Sequence, residues 1–168
     1  MGVEDHKAAA AHLTGFQAAV LTVSDSSTEA TDESGKLLME LITGAGHAIG
    51  AYRLVRNEPE IVRQTITELA GEVDFIITTG GTGMSPRDLS IEACRPLFTK
   101  ELEGFGDVFR LLSFQEIGSS AILSRATGGS IGKAMIFCLP GSKAACRLAA
   151  ERLILPEIKH LLSQVRKV

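Results

Sequence analysis

Apolar positions along the chain change period several times, and each change marks an element. Gln17 to Val23 (QAAVLTV) is a compact apolar run rich in strand formers. It gives way to Ser24-Asp25-Ser26-Ser27, a pattern that predicts a buried parallel strand and then a loop. From Asp32 the spacing of Leu37, Leu38, Leu41 and Ile42 is helical, with Gly44 and Gly46 as stop signals. A second strand is expected over residues 49–55, and Pro59 opens a helix with Ile61, Val62, Ile66 and Leu69 on one face that ends near Gly71. Val73 to Thr79 reads as a third strand, followed by a glycine turn and a helix through Ala93 and Leu97. The glycine-punctuated stretch GFGDVFRLLSFQEIGSS predicts short helices. Lys133 to Leu139 (KAMIFCL) is the fourth strand, and Lys143 to Leu162 is a long amphipathic helix that Pro156 kinks or splits.

Strand and helix alternate without an internal repeat, a low-complexity tract or a linker. Such βαβ alternation implies an α/β fold with a mostly parallel sheet covered on both faces. The 168 residues suit one core. We therefore read residues 15–168 as one domain and 1–14 as a helical or irregular N-terminal arm. The arm has early acidic residues and no apolar run before a cleavage site, unlike a signal peptide.

Composition narrows the function more than the fold. Seventeen basic and 20 acidic residues leave a net charge of −3 with no basic stripe, which argues against nucleic acid as a partner. No apolar stretch approaches a membrane span. Cys94, Cys138 and Cys146 are an odd number without a CxxC pair and sit in apolar sequence, which fits a reduced cytoplasm. Histidines at 6, 12, 47 and 160 have no metal-ligand spacing, so neither a zinc site nor a Ser-His-Asp triad is expected.

In an open parallel sheet, ligands bind outside the carboxyl ends of the strands. Three polar clusters fall there: Ser24-Asp25, Thr78 to Asp88, and Pro140-Gly141-Ser142, which are expected to share one rim. Within the second, Gly80, Gly81 and Gly83 allow close backbone approach and leave successive N–H groups able to hold phosphate oxygens. The loop has neither the Gly-Lys-Ser/Thr of a Walker A motif nor the GxGxxG spacing of a dinucleotide fingerprint, so by itself it is also compatible with a tight turn. Asp88 has two readings. Ser85-Pro86-Arg87-Asp88 fits a capping box, whereas a helix starting with Ser90 as N-cap leaves Asp88 in the loop, free to bind Mg²⁺ or orient a substrate. Asp25, Asp32 and Ser142 are likewise candidate caps as well as candidate ligands.

TTGGTGMSPRD, together with VLTVSDSSTEATDESG (20–35), ELEGFGDVFRLLSFQEIGSSAILSRA (101–126) and LPGSKAAC (139–146), resembles the MoaB/Mog family of molybdenum cofactor biosynthesis proteins over residues 15–160. EIGSS with LPGS is similar to the MoaB branch. The resemblance implies a three-layer α/β/α fold and a homotrimer or homohexamer. It also implies binding of molybdopterin and of ATP with Mg²⁺, and adenylylation of the molybdopterin phosphate; the alternative is a MoaB-type binding protein with little turnover. By the same resemblance Asp88 is the catalytic and metal-binding carboxylate, and Thr78, Thr79, Gly80, Gly81, Thr82 and Gly83 line the pterin or phosphate site. Asp25, Asp32, Ser34, Ser124, Gly141 and Ser142 are further substrate-binding candidates. One departure stands out: where active members carry an aspartate after the second strand, this chain has Asn57 followed by Glu58, so either the charge is missing or Glu58 supplies it.

Overall fold

The computed structural model describes residues 2–10 and 15–167. Helix α1 (Val3–Ala10) leads in and is tied by a Lys7–Glu157 ion pair to the last helix of the chain. Strand β1 (Gln17–Val23), α2 (Glu33–Gly44), β2 (Ala48–Val55), α3 (Pro59–Ala70) and β3 (Phe75–Thr79) then form two consecutive βαβ units. After a loop come α4 (Ser90–Cys94), the short β4 (Lys100–Glu101) and α5 (Glu103–Ile117). The chain ends with β5 (Thr127–Ile131), β6 (Ala134–Leu139), α6 (Lys143–Ala149) and α7 (Leu155–Val165). The six-stranded sheet has the order β2-β1-β3-β6-β5-β4; β1, β2, β3 and β6 are parallel and β5 is antiparallel to both neighbours.

Successive residues of the central strands feed opposite faces, as the two-residue period of a strand requires. Val20, Ile77 and Phe137 pack with Leu38 and Ile42 of α2, Phe105 and Phe109 of α5, and Leu148 and Ile158 near the carboxyl end. Leu21, Ile76 and Ile136 pack on the other side with Val62, Ile66 and Leu69 of α3 and with Ile91 and Cys94. This is the three-layer α/β/α architecture. All three cysteines are buried as free thiols, and among the described residues no helix is long and apolar enough to cross a membrane.

Several elements differ from the sequence reading. The expected short helices between residues 104 and 120 are one 15-residue helix, α5, followed by a 3₁₀ turn over Gly118–Leu123. Gly106 belongs inside it because a Cβ there would stand 2.9 Å from the Ala126 carbonyl oxygen, so the glycine sets how closely α5 approaches the chain entering β5. Strand β5 itself was not expected, since TGGSI has few strand formers. A Cβ on Gly129 would lie 2.7 Å from the Phe98 ring and from the Lys100 carbonyl oxygen, so only a bare backbone fits under that ring. The long helix expected from Lys143 is split ahead of Pro156: a wide π turn over Ala150–Ile154 separates α6 from α7 and leaves the proline in the first turn of α7, where its missing N–H breaks no helical bond.

Candidate functional site

The chain runs from β1 outward to β2 and then returns past β1 to β3, so the strand order reverses between β1 and β3. Loops on the two sides of such a reversal diverge and leave a crevice at the carboxyl ends of the strands. A cleft of about 500 Å³ opens there, and Ser24, Thr79, Gly80 and Gly141 from all three polar clusters line it. Asp32, Ser34 and Lys143 complete its polar wall. The Ser34 hydroxyl donates to the Gly141 carbonyl at 2.7 Å, joining the loop after β1 to the loop after β6.

The glycine loop is held from one side. Gly80 has φ +94°, and a Cβ there would come within 2.2 Å of the Val23 carbonyl oxygen, so no other residue fits between the ends of β1 and β3. Its N–H continues the ladder to Leu139 O at 3.0 Å. Beyond it, each of four successive carbonyls accepts a hydrogen bond. Gly80 O takes the Ser90 hydroxyl (2.8 Å) and Gly81 O the Ser90 N–H (2.9 Å), while Thr82 O and Gly83 O take Arg125 Nη1 at 3.5 and 2.9 Å. The N–H groups of Gly81, Thr82, Gly83 and Met84 meet no acceptor among the described residues. Four adjacent donors without acceptors make this backbone a candidate anion receptor.

Asp88 lies in the loop ahead of α4, and it also makes the reciprocal contact of a capping box. Its Oδ2 accepts the Ser85 N–H at 3.2 Å, but the box closes a turn and not a helix. Ser90 begins α4 without capping it, because its hydroxyl is committed to Gly80. A second hollow of about 340 Å³ on this flank is lined by Met84, Asp88, Glu92 and Arg125 among others. No group of three or more His, Cys, Asp and Glu side chains able to hold a metal occurs among the described residues. Asp88 Oδ2 stands 2.6 Å from where a Cβ on Gly83 would be, and a single carboxylate beside the loop, with a ligand's own oxygens, is a donor set that suits Mg²⁺ carried by phosphates.

The remaining candidates separate. Asp32 is 4% exposed and caps α2 through the Gly35 N–H at 2.9 Å, while the hydroxyls of Thr22 and Tyr52 each donate to its Oδ2 at 2.6 Å. Burial, reinforced by this bond to Asp32, raises the Tyr52 phenol above its ordinary pKa and keeps it a donor. Asp32 is thus a cap that also walls the cleft. Asp25 caps no helix; it accepts the Asn57 N–H at 3.0 Å and pairs with Arg87 at 3.0 Å. Thr78 is fully buried within β3 and lines no part of the cleft, and Thr82 is 4% exposed. Ser142 caps α6, and together with Ser124 it lines a separate hollow of about 180 Å³.

Asn57 Oδ1 is buried without a hydrogen-bond partner, 3.0 Å from where a Cβ on Gly81 would stand. Glu58 is exposed, precedes α3 and makes no capping bond. Neither borders the cleft. Arg125 and Lys143 escaped the sequence reading because their tasks depend on contacts across long sequence separations, and Ser90, expected as an N-cap, instead holds the glycine loop; Lys143 reaches Glu33 at 3.2 Å across the mouth of the cleft.

A probable molybdopterin binding domain matches the chain over residues 19–160. The chain belongs to this family, in its MoaB branch. It is 45% identical to molybdenum cofactor biosynthesis protein B of Bacillus subtilis over an alignment 172 residues long that covers 99% of each chain. A crystal structure of a molybdenum cofactor biosynthesis protein B superposes with a TM-score of 0.86 at 46% identity, covering 90% of this chain and 96% of that one. The tungsten cofactor synthesizing protein MoaB from Pyrococcus furiosus gives a TM-score of 0.84 at 36% identity, with 92% and 99% covered. The fold and the pathway, molybdenum cofactor biosynthesis, are therefore assigned.

Proposed function

We propose that this MoaB-branch protein is a molybdopterin adenylyltransferase that moves AMP from ATP to the molybdopterin phosphate and releases pyrophosphate. The observation that carries the reading is the run of four unpaired N–H groups at Gly81 to Met84, beside a polar cleft. In the reaction a molybdopterin phosphate oxygen attacks the α-phosphorus, the bond from that phosphorus to the pyrophosphate oxygen breaks, and the leaving group takes the electron pair. No proton need be abstracted from a phosphate already ionised, so the protein's part is to align the two phosphates and stabilise charge. The loop N–H groups donate to the phosphate oxygens, Lys143 adds a cation at the mouth of the cleft, and the carboxylate of Asp88 would hold a divalent ion. Mg²⁺ held there would supply positive charge to the phosphates.

Asp88→Asn tests this. The amide oxygen still accepts the Ser85 N–H, so melting is expected to stay close to that of the parent. A unit charge ~4 Å from the ion is worth roughly 4 kcal/mol at an effective dielectric of 20, and if about half acts in the transition state AMP transfer falls about 30-fold. A variant that melts lower but turns over normally would show that Asp88 only closes the turn. Asn57 supports a second reading, a molybdopterin-binding protein with little turnover, because it is neutral where an acid is expected. The parent protein would then retain molybdopterin and form no adenylylated product.

The same reading includes a homotrimer or homohexamer. Leu111, Phe114 and Ile117 recur at helical spacing on α5, and with Ile122 and Leu123 beyond it they are each more than half exposed. That is an apolar row of the kind that marks an interface.

A further inference from the structure

We infer that Arg125 is a positioning residue that turns the glycine loop's N–H groups toward an incoming phosphate or pyrophosphate. The inference rests on the reading of that loop as the phosphate receptor. A trans peptide unit places its C=O and N–H on opposite sides, so fixing the carbonyl fixes where the next residue's N–H points. The four units from Gly80 to Met84 obey this rule in two halves. Ser90, fully buried, holds the carbonyls of Gly80 and Gly81 with its hydroxyl and N–H, and Arg125 holds those of Thr82 and Gly83.

The second half depends most on its clamp. Gly83 has no Cβ to restrict the units on its two sides, so the Gly83 and Met84 N–H groups keep their direction through the bonds to Arg125. Arginine suits the task because its planar fork offers Nη1 to the carbonyls while Nη2 remains bonded to Glu92. That ion pair also neutralises the guanidinium, so Arg125 acts by setting the loop and not by lending its own charge to the anion. Glu92 lies in the first turn of α4, the helix that begins with Ser90, so both halves of the clamp are anchored to one element.

The experiment compares Arg125→Met and Arg125→Lys with the parent protein. Pyrophosphate is titrated by calorimetry, and the ¹⁵N–¹H resonances of Gly81 to Met84 are followed in the anion-free proteins. Arg147→Met, which removes a remote surface cation paired with Glu151, controls for net charge. Arg125→Met is expected to move the Gly83 and Met84 resonances and to weaken pyrophosphate about tenfold, as for one lost charge-assisted hydrogen bond. Arg125→Lys should fall between, since a point charge holds one carbonyl less firmly than a fork. Should Arg125→Met not fold, the lysine variant carries both readouts. Weaker binding with unmoved resonances would overturn the proposal, because Arg125 would then touch the anion directly. Moved resonances with unchanged affinity would overturn it as well. A parent protein that binds no pyrophosphate sinks the receptor reading itself, which is a different failure from parent binding that Arg125→Met leaves intact.

Discussion

Asn57→Asp restores the acid that active relatives are expected to carry, and the structure says what it should cost. Asn57 Oδ1 has no hydrogen-bond partner and is sealed beneath Gly81, while the backbone N–H of the same residue is committed to Asp25. An ionised oxygen in that position loses its water and gains no donor. A buried neutral group left unpaired costs about 1–3 kcal/mol and a charged one more. Because the rest of the side chain is half-buried and not enclosed, we take about 2–3 kcal/mol. For a chain of this size that corresponds to a melting temperature lower by roughly 4–12 °C at pH 7. The sign with pH is definite. The new carboxyl has a folded-state pKa above its unfolded value of about 3.9, so the deficit relative to the parent is absent below that value and grows as pH rises through the folded pKa. Calorimetric melts of both proteins at pH 4 and pH 7 measure it, each with and without millimolar Mg²⁺ and pyrophosphate. Equal melts at both pH values would refute the argument, since the oxygen would then have found water or a donor. Recovery with Mg²⁺ and pyrophosphate alone would show that a carboxylate there reaches the bound cation, as in the expected active pattern.

Three further outcomes follow from the packing. His47 is buried between Phe16 and Phe75, and desolvation, with Lys159 adding to it and Asp74 opposing it, holds its pKa below the usual value. The unfolded chain then takes up the proton first, so stability is full above about pH 6.5 and is lost as pH falls toward the folded pKa. His47→Phe should flatten that acid limb in pH-dependent melts, and an unchanged limb would assign the slope to other groups. Gly129→Ala drives a methyl into the Phe98 ring and the Lys100 carbonyl and should cost about 1–3 kcal/mol in denaturant titrations; a neutral result would mean that β5 can shift away from β4. Phe114→Glu, on the exposed row of α5, should give monomers in sedimentation velocity if that row is the subunit interface, whereas an unaltered mass would place the interface elsewhere.

Periodicity exposed the four parallel strands and the helices between them, because buried apolar runs such as QAAVLTV and KAMIFCL are determined by their own composition. It failed at β5 and α5 for a common reason. TGGSI is a strand because Phe98, Phe105 and Phe137 lie against it, and those rings come from elsewhere in the chain. Gly106, Gly128 and Gly129 look like turn signals but answer to close approach, and the surface that requires the approach is absent from the local sequence. The shared rim was legible because strand ends could be placed, but its contents were not. Thr78 and Thr79 are adjacent and alike, yet the two-residue period sends one into a closed layer and the other to the cleft.

The glycine loop carries this contrast furthest. Its motif names a backbone able to bind an anion, but a glycine loop has as many carbonyls as N–H groups and could equally well bind a cation. What decides between the two is which edge the rest of the protein occupies. Here Ser90 and Arg125 occupy the carbonyl edge at four consecutive peptide units, and neither residue lies within the glycine run. On the proposed reading, ligand polarity at this site is set by a serine seven positions beyond the last loop glycine and an arginine 42 positions beyond it. Exchanging a residue of the loop tests whether the backbone can approach a ligand, and exchanging Ser90 or Arg125 tests which charge it prefers. Ser90→Ala should therefore weaken pyrophosphate binding as Arg125→Met does. The loss should be the smaller of the two, because the Ser90 N–H still holds Gly81 O after the hydroxyl is removed.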